Sequence, residues 1–196
     1  MSYTAAMRTT VLVLALLLGS SAHALTAQRR GGAGGFWYSL SVAPGWSRVS
    51  CDICAGRREA GISALLGLGG TTSRTLRLGG ELAAWRQSDE AVTQTLLSIG
   101  ATATWYPGTK RRWYLRGGAA LLMHRANDGT DAVTSSGIGP QLGVGYESAA
   151  GSHWLIAPFV HYSLGVVGGN VNFNGGQAAG SARLSFLQAG VSFTHR

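Results

Sequence analysis

Charge is what this sequence has least of. Charged residues make up 12% of the 196, roughly half the ~25% of an ordinary soluble domain. Acidic residues number only 8 against 16 Lys and Arg, for a formal net charge of +8. A chain with so few charges cannot cover a water-facing exterior, and lipid is the alternative solvent. The basic excess does not point to nucleic acid, which needs Lys and Arg clustered on one face. Here the clusters are small and separated, at Arg29-Arg30, Arg57-Arg58 and Lys110-Arg111-Arg112. They read as short basic turns and loops facing water or anionic headgroups.

Long hydrophobic runs are missing too. A membrane-spanning helix needs about 20 apolar residues, and no stretch reaches that length. If the chain crosses a membrane, it crosses by strands. Glycine, by contrast, occurs 30 times, roughly double its usual ~7%, while aliphatic residues stay plentiful. That balance excludes disorder.

The N-terminus reads as a secretory leader over residues 1–24. Arg8 supplies the positive start, residues 11–18 (VLVLALLL) the apolar segment, and Ala22-His23-Ala24 the small–x–small cleavage site. Met7-Arg8 opens a more compact leader of the same type, so the start is Met1 or Met7. A glycine-rich lead at 25–35 follows.

From residue 36 to 196 the pattern is one of period two. The first segment sets Phe36, Tyr38, Leu40, Val42, Pro44 and Trp46 against Trp37, Ser39, Ser41, Ala43, Gly45 and Ser47. Seven more segments follow, opening near Ile62, Thr75, Gln94, Trp113, Ile138, Trp154 and Leu187. Each has an apolar face and a face of Gly, Ser, Ala and Thr. Such alternation marks a strand between two environments, and segments of about ten residues separated by turns are the pattern of a transmembrane barrel. The expected fold is all-β: an eight-stranded antiparallel transmembrane β-barrel, an up-and-down meander. A soluble lipocalin-like barrel, the structural rival, would need a charged exterior that this sequence lacks.

Connections at 48–61, 124–136 and 168–182 read as long and that at 86–93 as intermediate, alternating with short turns at Gly69-Gly70, Pro107-Gly108 and Ala150-Gly151. Short periplasmic turns and longer outer loops put both termini in the periplasm. The same orientation places Phe36, Trp105, Trp113, Tyr146, Trp154 and Phe193 at the periplasmic rim of the apolar face, where an aromatic girdle belongs.

On these segments, with Leu78-Gly79-Gly80-Glu81 in the third and Leu187-Gln188-Ala189-Gly190-Val191-Ser192-Phe193 at the close, the chain resembles the small outer-membrane β-barrel superfamily of OmpA and OmpX type. The resemblance spans most of the mature chain and is one of pattern. It implies a fold, a place in the outer membrane, contact with outer-membrane lipids, and delivery by the barrel-insertion machinery, whose C-terminal signal the last strand resembles. Thr194-His195-Arg196 after Phe193 departs from that signal. Cys51-Asp52-Ile53-Cys54 in the first loop belongs to no motif of the family.

Candidates for chemistry are few. Cys51 and Cys54 are the only cysteines. A thioredoxin-like role wants a βαβ setting, zinc wants four ligands, and haem attachment wants His where Ala55 stands. In an oxidising compartment a disulfide is the default. His124 beside Ser135 and Ser136 resembles, loosely, the His–Ser sites of barrels that act on lipid A, but scattered residues meet no geometric test for a triad. His161 points to the lumen by alternation. Gly67-Leu68-Gly69-Gly70 and Gly165-Val166-Val167-Gly168-Gly169 open no helix and precede no GK[ST], so neither reads as a nucleotide loop. Inward alternation instead gathers Arg77, Glu81, Arg116, Gln141, Glu147 and Gln188 into a lumenal polar network, since eight strands leave a bore that side chains fill. No cofactor and no nucleic acid are called for. The expected function is a non-enzymatic outer-membrane barrel with a structural or surface-loop display role; the alternative is an enzyme modifying lipid A or phospholipid.

Overall fold

Period-two alternation needs a partner strand on each side to satisfy the backbone, and a closed sheet supplies both. The computed structural model describes residues 35–51, 56–89, 92–108, 112–180 and 182–196. The leader, nearly all of the glycine-rich lead, Cys54 and Lys110-Arg111 lie outside the described residues. The strands are β1 (Phe36–Ser50), β2 (Arg58–Thr71), β3 (Leu76–Ser88), β4 (Thr93–Trp105), β5 (Trp113–Asn127), β6 (Ala132–Tyr146), β7 (Ser148–Ala149), β8 (Trp154–Gly165), β9 (Val167–Phe173), β10 (Gly176–Ala179) and β11 (Arg183–His195). Every pairing is antiparallel, each of β1 to β5 pairs with the next, β6 pairs with β8, β8 with β11, and β11 returns to β1. The result is a closed eight-position meander, with β7 a two-residue appendage of a turn.

The seventh wall position is shared by two strands. β8 pairs with β6 from Gln141↔Ser163 to Gly145↔Phe159, and β9 takes over from Ile138↔Val167 to Val133↔Phe173. Extra residues around Val166 and Gly168 are absorbed in a bulge, where Gly168 has a φ of +81°. The shift between the two pairings is even, so Val171 in β9 faces inward as Phe159 and Ser163 do in β8.

Outward positions are exposed: Leu40, Ile62, Leu78, Ile99, Leu142 and Phe193 stand on the outer wall. Inward positions are buried and smaller, as with Ser39, Ser41, Ser63, Ser98 and Ser163. The wall is therefore inverted relative to a soluble protein. All six aromatic residues of the expected girdle lie at the short-turn end; Trp113 packs on Tyr146 with ring centroids 5.1 Å apart. Tyr38 stacks on His195 at 5.1 Å and meets the edge of Trp154 at 6.0 Å.

The connections differ from the sequence expectation. β5 and β6 stay paired through Asn127↔Ala132, so the connection read as 124–136 is a four-residue turn at 128–131. β1 and β2 stay paired through Arg48↔Arg58, and much of 168–182 is the β9–β10 hairpin. A bilayer core needs only about 9–11 residues per strand, whereas β5 and β6 have 15 each. Beyond the lipid nothing selects apolar residues at every second position, so pairing continues where the alternation stops.

Candidate functional site

The lumen is filled in layers. In the short-turn half, Arg77 comes from the start of β3, Glu147 from the residue after β6, and Tyr106 from the residue after β4. Arg77 donates from both Nη atoms to the Glu147 carboxylate, at 2.9 and 3.4 Å. Tyr106 Oη donates to Glu147 Oε1 at 2.7 Å, and the Arg77 guanidinium lies over the Tyr106 ring, 4.6 Å from its centroid. A second pair sits beside it: Arg116 of β5 bonds the carboxylate of Glu81 in β3 and donates from Nε to Thr104 Oγ1 at 3.2 Å. His161 Nε2 of β8 stands 3.9 Å from Glu81 Oε2. Tyr114 lies beneath Arg116, with the guanidinium 5.2 Å from the ring centroid. The Tyr114 ring fills the space above Gly145, where a Cβ would lie 2.4 Å from the phenol.

The site holds two arginines and two glutamates, so its charges balance. Buried charge is tolerated only when paired and hydrogen-bonded, and the bidentate arginine fork meets that condition. The structure brings Arg77, Glu81, Arg116 and Glu147 together as two pairs. Gln141 stands to the side, donating to the carbonyls of Ala101 and Ala119 at 3.2 and 3.4 Å. Gln188 is buried, and its side-chain amide bonds no protein group among the described residues. Tyr106, Tyr114 and Thr104 were missed in the sequence. Thr104 and Tyr114 had the inward parity that marks them, and Tyr106 continues the parity of Thr104 one residue past the end of β4.

Toward the loops the filling turns apolar. Leu65, Trp85, Leu96, Leu122, Leu184 and Phe186 pack as one buried cluster. Trp85 meets Phe186 at 6.4 Å, and its Nε1 donates to the carbonyl of Gly45 at 2.9 Å. Gly45 is required there, since a Cβ would lie 2.8 Å from Trp85 Cδ1 and 3.0 Å from Phe186 Cε2. This cluster was not foreseen; a lumen of small polar residues was.

Above it a cavity of about 610 Å³ opens among the inner faces of the loop-end strands, lined in part by Ser47, Gln94, His124, Ser135, Val171 and Phe173. His124 and Ser135 are direct cross-strand partners. His124 therefore belongs to a strand and points inward, buried, where the sequence puts it at the start of a long connection at 124–136. His124 Nε2 and Gln94 Oε1 are 3.2 Å apart, and Ser135 Oγ bonds no protein group among the described residues. The nucleophile–base hydrogen bond that activates a serine is not made. No cluster of metal-binding side chains occurs among the described residues.

No protein-family model matches the chain. No curated protein matches its sequence. Solved structures match in fold. Neisserial surface protein A superposes with a TM-score of 0.56 at 21% identity, over 83% of this chain and 98% of that one. Ail, the attachment invasion locus protein of Yersinia pestis, superposes with a TM-score of 0.50 at 14% identity, over 81% and 97%. The chain has the fold of the small outer-membrane β-barrels.

Proposed function

We propose that the protein is an outer-membrane barrel without enzymatic activity, a sealed scaffold that holds its loop end at the cell surface. The observation that carries the reading is the double closure of the lumen, by the Arg77–Glu147 and Arg116–Glu81 pairs and by the Trp85–Phe186 cluster. A bore closed by paired charge and by packed rings is a poor path for ions. A wall of outward Leu, Val and Ile needs hydrocarbon around it. Removal of a leader at 1–24, handling by the barrel-insertion machinery, and periplasmic termini belong to the same reading. So does a Cys51–Cys54 disulfide bracing the first loop in an oxidising compartment.

An enzyme acting on lipid A or phospholipid finds little support at His124. Its serine neighbour makes no bond to it, and a Gln amide stands where an orienting carboxylate serves a hydrolytic triad.

Three measurements test the proposal. The mature protein should fractionate with outer membranes and run at different gel mobilities before and after boiling. Purified and inserted in planar bilayers, it should carry no steady porin-sized current. Lipid A and phospholipids from cells with and without the gene should have the same masses. A soluble fraction, a sustained large conductance or a changed lipid mass would each overturn the corresponding part.

A further inference from the structure

On the strands of the outer wall at the loop end, as distinct from the turns that carry Asp89, Asp128 and Asp131, the charge is of one sign. Arg48, Arg58, Arg86, Arg125 and Arg183 are exposed and lie on the outward face of their strands. The described strand carboxylates, Glu59 and Glu81, lie on the inward face. Neither Arg86 nor Arg125 has an ion pair among the described residues. Arg48 and Arg58 are direct cross-strand partners, an arrangement of like charges that destabilises a sheet unless an anion lies between them.

Register fixes how Arg86 and Arg125 stand. Arg86 pairs with Thr95, and Thr95 pairs with Arg125. The two arginines thus flank one threonine at two strand spacings, about 10 Å between their Cα atoms, close enough for both guanidinium groups to converge over the Thr95 hydroxyl. One outward row nearer the bilayer centre lie Ala64, Ala84, Leu97 and Met123, also in direct register. The alanines make a low floor between taller side chains, and a groove of about 1080 Å³ runs there across the strands, from Val42 and Ile62 on one side to Ser136 and Asn172 on the other, with Arg86 and Arg125 along its loop-side edge.

We propose that Arg86 and Arg125, on the loop-side edge of the groove floored by Ala64 and Ala84, hold a lipid of the surrounding leaflet by a phosphate monoester head, with an acyl chain lying in the groove. A carboxylate offers two oxygens and satisfies one arginine fork. A phosphate monoester offers three terminal oxygens and up to two charges, enough for two forks and a hydroxyl. The apolar groove selects a lipid over free phosphate, since an inorganic anion leaves it empty. The proposal rests on the membrane-barrel reading above, because only that reading surrounds this face with lipid.

The test is native mass spectrometry of the purified full-length barrel, released from micelles doped equally with phosphatidic acid, phosphatidylglycerol and phosphatidylcholine. Phosphatidic acid should be retained at least tenfold over phosphatidylcholine. Arg86→Gln with Arg125→Gln should abolish that preference, and Ala84→Phe should reduce lipid retention by filling the groove while both arginines remain. Arg112→Gln, at the short-turn end, should change nothing. Arg86→Lys with Arg125→Lys keeps the charge but loses the forks, and should leave a weaker preference in a barrel with wild-type heat-modifiable mobility. Ten millimolar inorganic phosphate should not displace the lipid. Equal retention of all three lipids, a preference that survives the double Gln variant, or displacement by free phosphate overturns the proposal. A barrel that still shows heat-modifiable mobility in those cases leaves the membrane-barrel reading standing; loss of that mobility in the wild type removes both.

Discussion

The two ends of the barrel use opposite chemistry on opposite sides of one wall. At the short-turn end Trp105, Trp113 and Trp154 face outward and the arginines and glutamates face inward. At the loop end the arginines face outward, and Trp85 and Phe186 are packed inside. The difference lies in what each charge can find. Inside the bore there is no bulk water, so every arginine must meet a carboxylate within the protein. Outside, at the level of the headgroups, an arginine can be left for the membrane to satisfy. Hence the inner arginines are fixed by protein partners, while Arg86 and Arg125 on the outer wall have no ion pair among the described residues.

The contrast breaks most severely at the inner charges. Glu147→Ala should cost about 3–5 kcal/mol, because it strands the buried Arg77 and the Tyr106 hydroxyl together. Glu81→Ala should act alike through Arg116. Both are measured as a lower urea midpoint for unfolding in micelles. Replacing Arg77 and Glu147 together by Met and Leu should recover most of the loss; if the double variant is as weak as the single, stranded charge is not the cause. In the apolar layer, Phe186→Ala should cost about 3–5 kcal/mol, the usual range for emptying a buried aromatic site. Its single-channel current should remain near wild type, because the paired charges still close the bore; a large conductance there would show that the rings alone make the seal.

On the outer wall, Leu142→Arg or Val160→Arg should cost about 2–4 kcal/mol near the midplane. The mirror experiment, Arg125→Leu at the loop end, should change stability by about 0–1 kcal/mol, since charge near the interface weighs little. Equal effects at the two heights would erase the distinction between ends. Smallest is the pH response of the 128–131 turn. The backbone N–H groups of Asp131 and Thr130 donate to the Asp128 carboxylate at 2.7 and 3.0 Å and hold its pKa below the ordinary range. Their contribution is complete above the ordinary carboxylate pKa and disappears as pH falls through the depressed one. NMR titration should place the Asp128 midpoint below that of a model peptide; an unshifted midpoint would mean the turn is not held by this carboxylate.

Much of the wall was legible because its two faces differ in every strand: Leu40 beside Ser41, Leu97 beside Ser98. Strand ends were not, because outside the hydrocarbon the selection that writes the alternation is gone; β5 and β6 run on through Arg125 and Thr134 without it. Inward parity was enough to gather Arg77, Glu81, Arg116 and Glu147 on one surface. It was not enough to pair them, because Arg77 reaches Glu147 across the bore and not along a ladder, and that geometry depends on the tilt of all eight wall positions. Leu65, Leu96 and Leu122 have inward parity, but each stands next to an outward leucine, where the two faces no longer differ in hydropathy. Only the packing shows that they form a layer.

The seam between β1 and β11 has a kinetic meaning. Every other wall contact joins strands that are neighbours, or nearly so, along the chain, and such hairpins form with little loop-closure entropy. The seam alone joins Tyr38 to His195, and contacts of such high sequence separation form late and slowly. Until they do, the two edge strands carry unpaired amides that lipid cannot satisfy. The stack of Tyr38, His195 and Trp154 lies at the end of that seam, so ring contacts add to the backbone pairing at the one junction that chain proximity does not bring together.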